Sequence, residues 1–258
     1  MSPGASPERN PEAGDSALPA MLRSAHQLDP EFTDAYRRME QVSASRKTLS
    51  PKERELIGLA VNASTTRLFE PAIREHLRGA MRAGATRDEL IETLEVASAM
   101  GIHTATTSMP VLREELDSEG ADILGQDLTA RQQAVKDAFA TGRQSWTGLL
   151  DDLLRLDVTW LEAFVDYSTV PWKRGALPPA LKELLYIGID AQTSHLYSPG
   201  IRWHLGNAFR LGVSLDQVLE VLELVSLIGI HTMVVAAPIL ESEWAAFEAA
   251  RSDPDTTG

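Results

Sequence analysis

Shifted by 128 positions, the chain lies on itself: Leu49–Glu115 aligns with Leu177–Glu243 without a gap, and 27 of the 67 pairs are identical. The pairs include Pro51/Pro179, Glu55/Glu183, Arg74/Arg202, His76/His204, Gly84/Gly212 and Glu95/Glu223, and Gly101-Ile102-His103-Thr104 recurs unchanged as Gly229-Ile230-His231-Thr232. The match fades upstream but continues, with Leu28-Asp29 on Leu156-Asp157. The chain is therefore two copies of one unit of about 100 residues, and with so few copies a pseudo-symmetric pair is expected rather than a solenoid. This reading puts the first copy at 21–119, a linker at 120–143, the second copy at 144–247, and tails at 1–20 and 248–258.

Each copy reads as helices. Ser50-Pro51-Lys52-Glu53 supplies an N-cap, a Pro at the first helical position and a Glu at the third, a capping box. Ile73, His76, Leu77 and Ala80 form one stripe at helical spacing, and Gly84 ends that helix. Thr86 with Glu89, and in the second copy Ser214 with Gln217, open the next one. A fourth helix follows Gly101 and contains Pro110; Pro30–Glu40 and Thr159–Tyr167 add one amphipathic helix upstream in each copy. No stretch sustains the period-two alternation of a half-buried strand. The expected fold is all-α, two tandem helical units packed as a pseudo-dimer.

Composition removes several function classes. Lys plus Arg is 24 against 37 Asp plus Glu, a net charge of −13 that argues against binding nucleic acid, which needs clustered cations. The chain has no cysteine, which excludes disulfide scaffolds, thiolate metal sites and thiol redox mechanisms. The first twenty residues hold four prolines and lack the apolar core of a signal peptide. The uncharged run Leu224–Leu240 is shorter than the roughly 20 residues of a membrane span and carries Ser226, His231 and Pro238. A cytoplasmic protein without membrane or nucleic-acid partners is expected.

Four polar residues per copy stand out on otherwise apolar faces: Glu55, His76, Glu95 and His103, with Glu183, His204, Glu223 and His231 as counterparts. A carboxylate or imidazole facing a core must be paired or shifted in pKa, and either condition suits proton transfer. Each also has a structural explanation, as a satisfied core histidine or a charge complementing a helix end. Arg74 and Arg202, two positions before the histidines, are surface groups or anion clamps. Phe69, Tyr197, Trp203 and Tyr186 are candidate walls of a substrate pocket. All five tryptophans lie in the second half, either as packing residues or because the second copy binds a planar or cyclic substrate with the first as scaffold.

These residues carry a resemblance. Arg54-Glu55-Leu56-Ile57, then His76, then Ala83-Gly84-Ala85-Thr86-Arg87-Asp88-Glu89-Leu90-Ile91-Glu92, resembles the carboxymuconolactone decarboxylase and alkylhydroperoxidase D family. Lys182-Glu183-Leu184-Leu185, His204 and Leu211-Gly212-Val213-Ser214 repeat the order. The resemblance implies an all-helical pocket, a Glu–His proton relay and disc- or ring-shaped homo-oligomers. It also places the redox cysteines of the peroxidase branch at Phe69 and Ala72, and at Tyr197 and Gly200. None is a cysteine here, so peroxide reduction by that route is excluded.

The function expected first is non-thiol acid–base catalysis, a decarboxylation or isomerisation of a small cyclic or carboxylated metabolite, without a cofactor. A metal-dependent enzyme with one Glu and two His per site is the alternative, since that is the donor set of an open divalent-metal site. A non-catalytic helical binding or assembly module is the third reading.

Overall fold

The computed structural model describes residues 20–120, 127–143 and 145–252, and among them every regular element is a helix. The helices are α1 Arg23–Leu28, α2 Pro30–Ser45, α3 Pro51–Ala63, α4 Glu70–Arg82, α5 Arg87–Ser98 and α6 His103–Ser118, followed by α7 Ala130–Arg143. The second copy continues with α8 Asp151–Leu156, α9 Val158–Arg174, α10 Pro179–Ala191, α11 Ser198–Arg210, α12 Leu215–Ser226 and α13 His231–Ser252. The caps read from the sequence are in place. Ser50 and Glu53, and Thr86 and Glu89, form complete capping boxes, and Gly84 and Gly212 take the positive φ values of 85° and 83° that end α4 and α11.

The described residues divide into two compact units, one within 46–226 and the other made of 20–45 with 227–252. In the terminal unit, α1 and α2 of the first copy pack with α13 and the 3-10 turn Leu227–Ile230 of the second, around Leu22 and Ile230. In the central unit the roles reverse: α8 of the second copy packs on α6 of the first. Each copy thus lends its leading helices to the other's trailing helix.

Inside the central unit α3 and α10, the counterpart central helices, pack on one another, with α4 and α5 around the first and α11 and α12 around the second. Their contacts are reciprocal. Glu92 accepts from the Ala176 and Leu177 amides (2.8 and 2.9 Å) and pairs with Lys182 at 2.7 Å. Its counterpart Glu220 accepts from the Thr48 and Leu49 amides (2.9 and 3.1 Å) and pairs with Arg54. Gln192 donates to Ser64, the residue at its own repeat position, at 2.8 Å.

The stretch read as a linker at 120–143 is corrected. Residues 130–143 form α7, whose Val135 and Phe139 enter a core with Leu150, Leu153, Leu154, Leu161 and Val165. The tail placed at 248–258 is helical to Ser252, and the tail at 1–20 lies outside the described residues except for Ala20. The run Leu215–Ser252 is long and apolar enough by composition to cross a membrane, with 39% of its most apolar window buried. It is broken into α12, a 3-10 turn and α13, and Val218, Val221, Val225, Leu227, Ile228 and Ile230 are core residues.

Candidate active site

Helix α10 is buried along nearly its whole length, from Leu181 to Asp190, so every polar side chain on it must find a partner inside the protein. Glu183, Tyr186 and Asp190 fall three and four positions apart, on one face turned toward α11. The Glu183 carboxylate binds His204 of α11, Oε2 to Nδ1 at 2.6 Å, and its Oε1 accepts from Asn207 Nδ2 at 3.2 Å. Glu183 and His204 are 1% and 3% exposed, a buried pair rather than a surface ion pair. Burial lowers the His204 pKa, a shift that the adjacent Glu183 charge opposes. Tyr186 stacks on the imidazole at 4.4 Å and Trp203 tilts against it at 4.7 Å, which fixes its orientation.

Arg143 completes the site. It continues the Val135–Phe139 stripe at i, i+4 and i+8, so the pattern that seats α7 in the core also turns a guanidinium inward. Its Cζ lies over the rings of Trp172 and Tyr186 (4.7 Å each), Trp203 (5.5 Å) and Phe139 (5.8 Å). A desolvated cation held this way gains on the order of 2 kcal/mol from the aromatic faces. Arg143, Ser145, Glu183, Asn207, Arg210 and Leu211 line a cavity of about 190 Å³. Arg143 and Trp172 hydrogen-bond to the Tyr186 hydroxyl, which ties the guanidinium to the rings around it. The pocket therefore combines a carboxylate and two guanidinium groups, a set that can receive an anion.

Behind His204 lies a second cluster. Its Nε2 stands 4.0 Å from Asp190 Oδ2, and Asp190 Oδ1 stands 3.7 Å from His103 Nδ1 and 3.9 Å from His195 Nε2. His103 and His195 are themselves 2.6 Å apart, and Tyr197 stacks on His103 at 4.1 Å while donating to Thr106 at 2.5 Å. Burial, reinforced by Glu183, pushes the Asp190 carboxyl up to about 8. Burial, then the neighbouring His195 and His204, brings His103 down to about 3.

The first copy keeps the relay without its walls. Glu55 and His76 meet at 2.9 Å, but the two side chains are 34% and 28% exposed. Where the second copy has Tyr186 and Asn207, the first has Gly58 and Gly79; a Cβ at either would run into the His76 ring or the Glu55 carboxylate. Asp190, His195 and Tyr197 are matched by Asn62, Arg67 and Phe69, with Arg67 donating to Asn62 at 2.9 Å and lying over Phe69.

The four candidates of each copy, Glu55, His76, Glu95 and His103 with Glu183, His204, Glu223 and His231, are not brought together in one pocket. Glu55 and Glu183 pair with His76 and His204 as expected, whereas Glu95 binds Arg174 at 2.9 Å and Glu223 binds Arg46 at 2.7 Å. These two ion pairs occupy equivalent repeat positions and join the copies. His103 leaves its own copy to meet Asp190 and His195 of the other, and His231 opens α13 in the terminal unit. As a clamp, Arg74 is also corrected: it is exposed and bound to Glu70 at 2.6 Å; Arg202 is exposed as well. Tyr186 and Trp203 pack on His204 and are not among the residues that line the cavity, Tyr197 stacks on His103, and Phe69 lies under Arg67. Arg143, Asp190, His195, Asn207 and Arg210 were not singled out from the sequence. The Val135–Phe139–Arg143 stripe was the legible signal for the first. The polar Asp190 near the end of an apolar helix was the signal for the second.

Residues 30–114 match the model of the carboxymuconolactone decarboxylase family. The crystal structure of a candidate gamma-carboxymuconolactone decarboxylase subunit from Burkholderia xenovorans LB400 superposes with a TM-score of 0.86 at 40% identity, over 90% of this chain and 93% of that one. No curated protein matches the chain. With a repeat that keeps the Glu–His pair twice and a relative this similar over nearly its whole length, the chain belongs to the carboxymuconolactone decarboxylase family.

Proposed function

We propose that the second copy carries the working pocket and performs acid–base decarboxylation or isomerisation of a small carboxylated, cyclic metabolite. The observation that carries this reading is the buried Glu183–His204 pair opening onto a cavity that also holds Arg143 and Arg210. Arg143 and Arg210 hold a substrate carboxylate by charge-assisted hydrogen bonds. Glu183 faces the cavity and exchanges a proton with a carbon next to a conjugated carbonyl, and His204 behind it takes up or returns that proton. In a decarboxylation the carbon–carboxylate bond breaks, its electron pair moves into the conjugated system, and the proton from Glu183 neutralises the resulting carbanion. The rings of Tyr186, Trp172 and Trp203, packed around Arg143 beside the cavity, shield the buried side of the relay from water.

A gamma-carboxymuconolactone is the first substrate to try, on the likeness to the Burkholderia protein. The reading includes a cytoplasmic homo-oligomer that binds neither nucleic acid nor membrane and needs no cofactor for the proton transfer. Half-exposed Ile239, Trp244 and Phe247 on α13 supply apolar surface for association.

The test is turnover of that lactone, followed by loss of its ultraviolet absorbance, in wild type, Glu183→Gln, Glu55→Gln and Arg143→Met. Glu183→Gln should lower kcat by roughly 10²–10⁴ while keeping the side-chain shape. Arg143→Met should act mainly on KM, and Glu55→Gln should stay near wild type. Equal losses from Glu55→Gln and Glu183→Gln would reject the asymmetry between copies. Unchanged kcat in Glu183→Gln would reject the relay.

A further inference from the structure

We infer that His103, Asp190 and His195 form a binding site for a divalent first-row transition cation, built where the two copies meet and separate from the Glu183 cavity. His103 is the first residue of α6 in the first copy, while Asp190 near the end of α10 and His195 in the following loop belong to the second. Their ligand atoms all lie within 4.8 Å of one another, and among the described residues no other set of three such groups does so.

The geometry is that of a ligand triangle. His103 Nδ1, His195 Nε2 and Asp190 Oδ1 are separated by 2.6, 3.7 and 3.9 Å. The point equidistant from those three atoms is about 2.0 Å from each, against roughly 2.0–2.2 Å for zinc bound to imidazole nitrogen or carboxylate oxygen. Two imidazoles and one carboxylate leave at least one position open, the donor set that zinc, iron(II), cobalt(II) and manganese(II) share.

A second observation points the same way. Asp190 is fully buried, and neither of its carboxylate oxygens receives a hydrogen bond from the described residues. A buried carboxylate in that condition is costly unless it takes up a proton or a cation satisfies it, and two imidazoles aimed at the same point favour the cation. The surroundings hold the ligands in place. Tyr197 stacks on His103 and is anchored to Thr106, and Gly200 admits the Asp190 carboxylate at a position where a Cβ would collide with it. The 128-residue shift supplies an internal contrast. The positions matching Asp190 and His195 are Asn62 and Arg67, which satisfy each other and offer a cation no imidazole or carboxylate.

The inference does not rest on the acid–base reading, although the site adjoins it through Asp190 Oδ2, 4.0 Å from His204 Nε2. The test uses the full chain after chelator treatment, titrated with Zn2+ by calorimetry and with Co2+ by its visible spectrum. The variants are Asp190→Asn, His195→Arg and the pair together, which install residues that the first copy already folds around. Wild type should bind one Zn2+ per chain, and each variant should bind it weaker by roughly 100-fold or more. The metal-free variants should keep the helical circular dichroism of wild type. Absence of binding by wild type would overturn the inference. So would a stoichiometric site that survives in the double variant, since the cation would then be held elsewhere. Because the readout is binding, the lactone assay can fail without touching this result, and the reverse also holds.

Discussion

Replacing Lys182 with Met tests how firmly the site helix is held. Lys182 is 1% exposed, and its ammonium donates to Glu92 at 2.7 Å and to the Pro171 carbonyl at 2.8 Å while lying 5.1 Å from the centre of the Trp172 ring. Met nearly fills the same volume, so little of the effect is a cavity. What changes is that the Glu92 carboxylate, 0% exposed, loses its countercharge and keeps only the Ala176 and Leu177 amides. Removing one partner of a buried pair typically costs about 3–5 kcal/mol, much more than the net worth of the pair itself. For a chain of this size that corresponds to a fall in Tm of roughly 6–20 °C. Glu92→Met should also be costly, because it orphans two backbone amides at about 1–3 kcal/mol each as well as the ammonium. The double variant should be less destabilised than the two losses combined, since no lone buried charge remains. Thermal and urea unfolding of all four proteins gives the cycle. Losses that add to within about 0.5 kcal/mol would mean that the two side chains are not coupled, and the account of this buried contact would fall. Lys182 precedes Glu183 on α10, so the same variant should loosen the relay and reduce turnover as a secondary effect.

Two other outcomes follow from the packing and charge. Gly200→Ala should destabilise the chain by about 1–3 kcal/mol, as overpacking does, because the added methyl meets the Asp190 carboxylate and the Tyr197 ring. The first copy tolerates Ala72 at this position because Asn62 turns back to donate to the Gly58 carbonyl at 2.8 Å; an unchanged Tm in Gly200→Ala would contradict that explanation. Glu220 gives a pH signature. Burial pushes its carboxyl up, but hydrogen bonds from the Thr48 hydroxyl, Arg54 and the Thr48 and Leu49 amides outweigh burial and hold it below the usual range. A depressed folded-state pKa means that its stabilisation is present above the ordinary carboxylate pKa and is lost as pH falls through the folded value. Wild type should exceed Glu220→Gln in stability near neutral pH, with the two urea midpoints converging as pH falls below the usual carboxylate range; a constant gap would refute the shift.

Local physics made the helices legible, and their boundaries follow from it. Ser50, Thr86 and Gly84 act within one turn of themselves, so the caps read from sequence match the caps in the structure. The Glu–His pairs were legible for a related reason. Glu183 and His204 sit on helices joined by a short loop, and the repeat showed the same pairing twice. α7 was missed because it lies between the repeats, where self-similarity gives no signal. Its stripe of Val135, Phe139 and Arg143 was nevertheless present at helical spacing.

What the sequence determined by itself was an all-helical chain of two related units, without thiol chemistry, each carrying a Glu and a His one loop apart. Tertiary structure decided which residues left their own copy. Exchange of leading and trailing helices carries His103 to Asp190 and His195, and sends Glu95 to Arg174 and Glu223 to Arg46. Such pairings join residues about 80 to 180 positions apart, and no periodicity or cap within one helix encodes them. They are set by how the helices of one copy pack on those of the other: Asp190 is fully buried there and must take what that packing presents, while the half-exposed Glu95–Arg174 and Glu223–Arg46 pairs form where the helix ends meet.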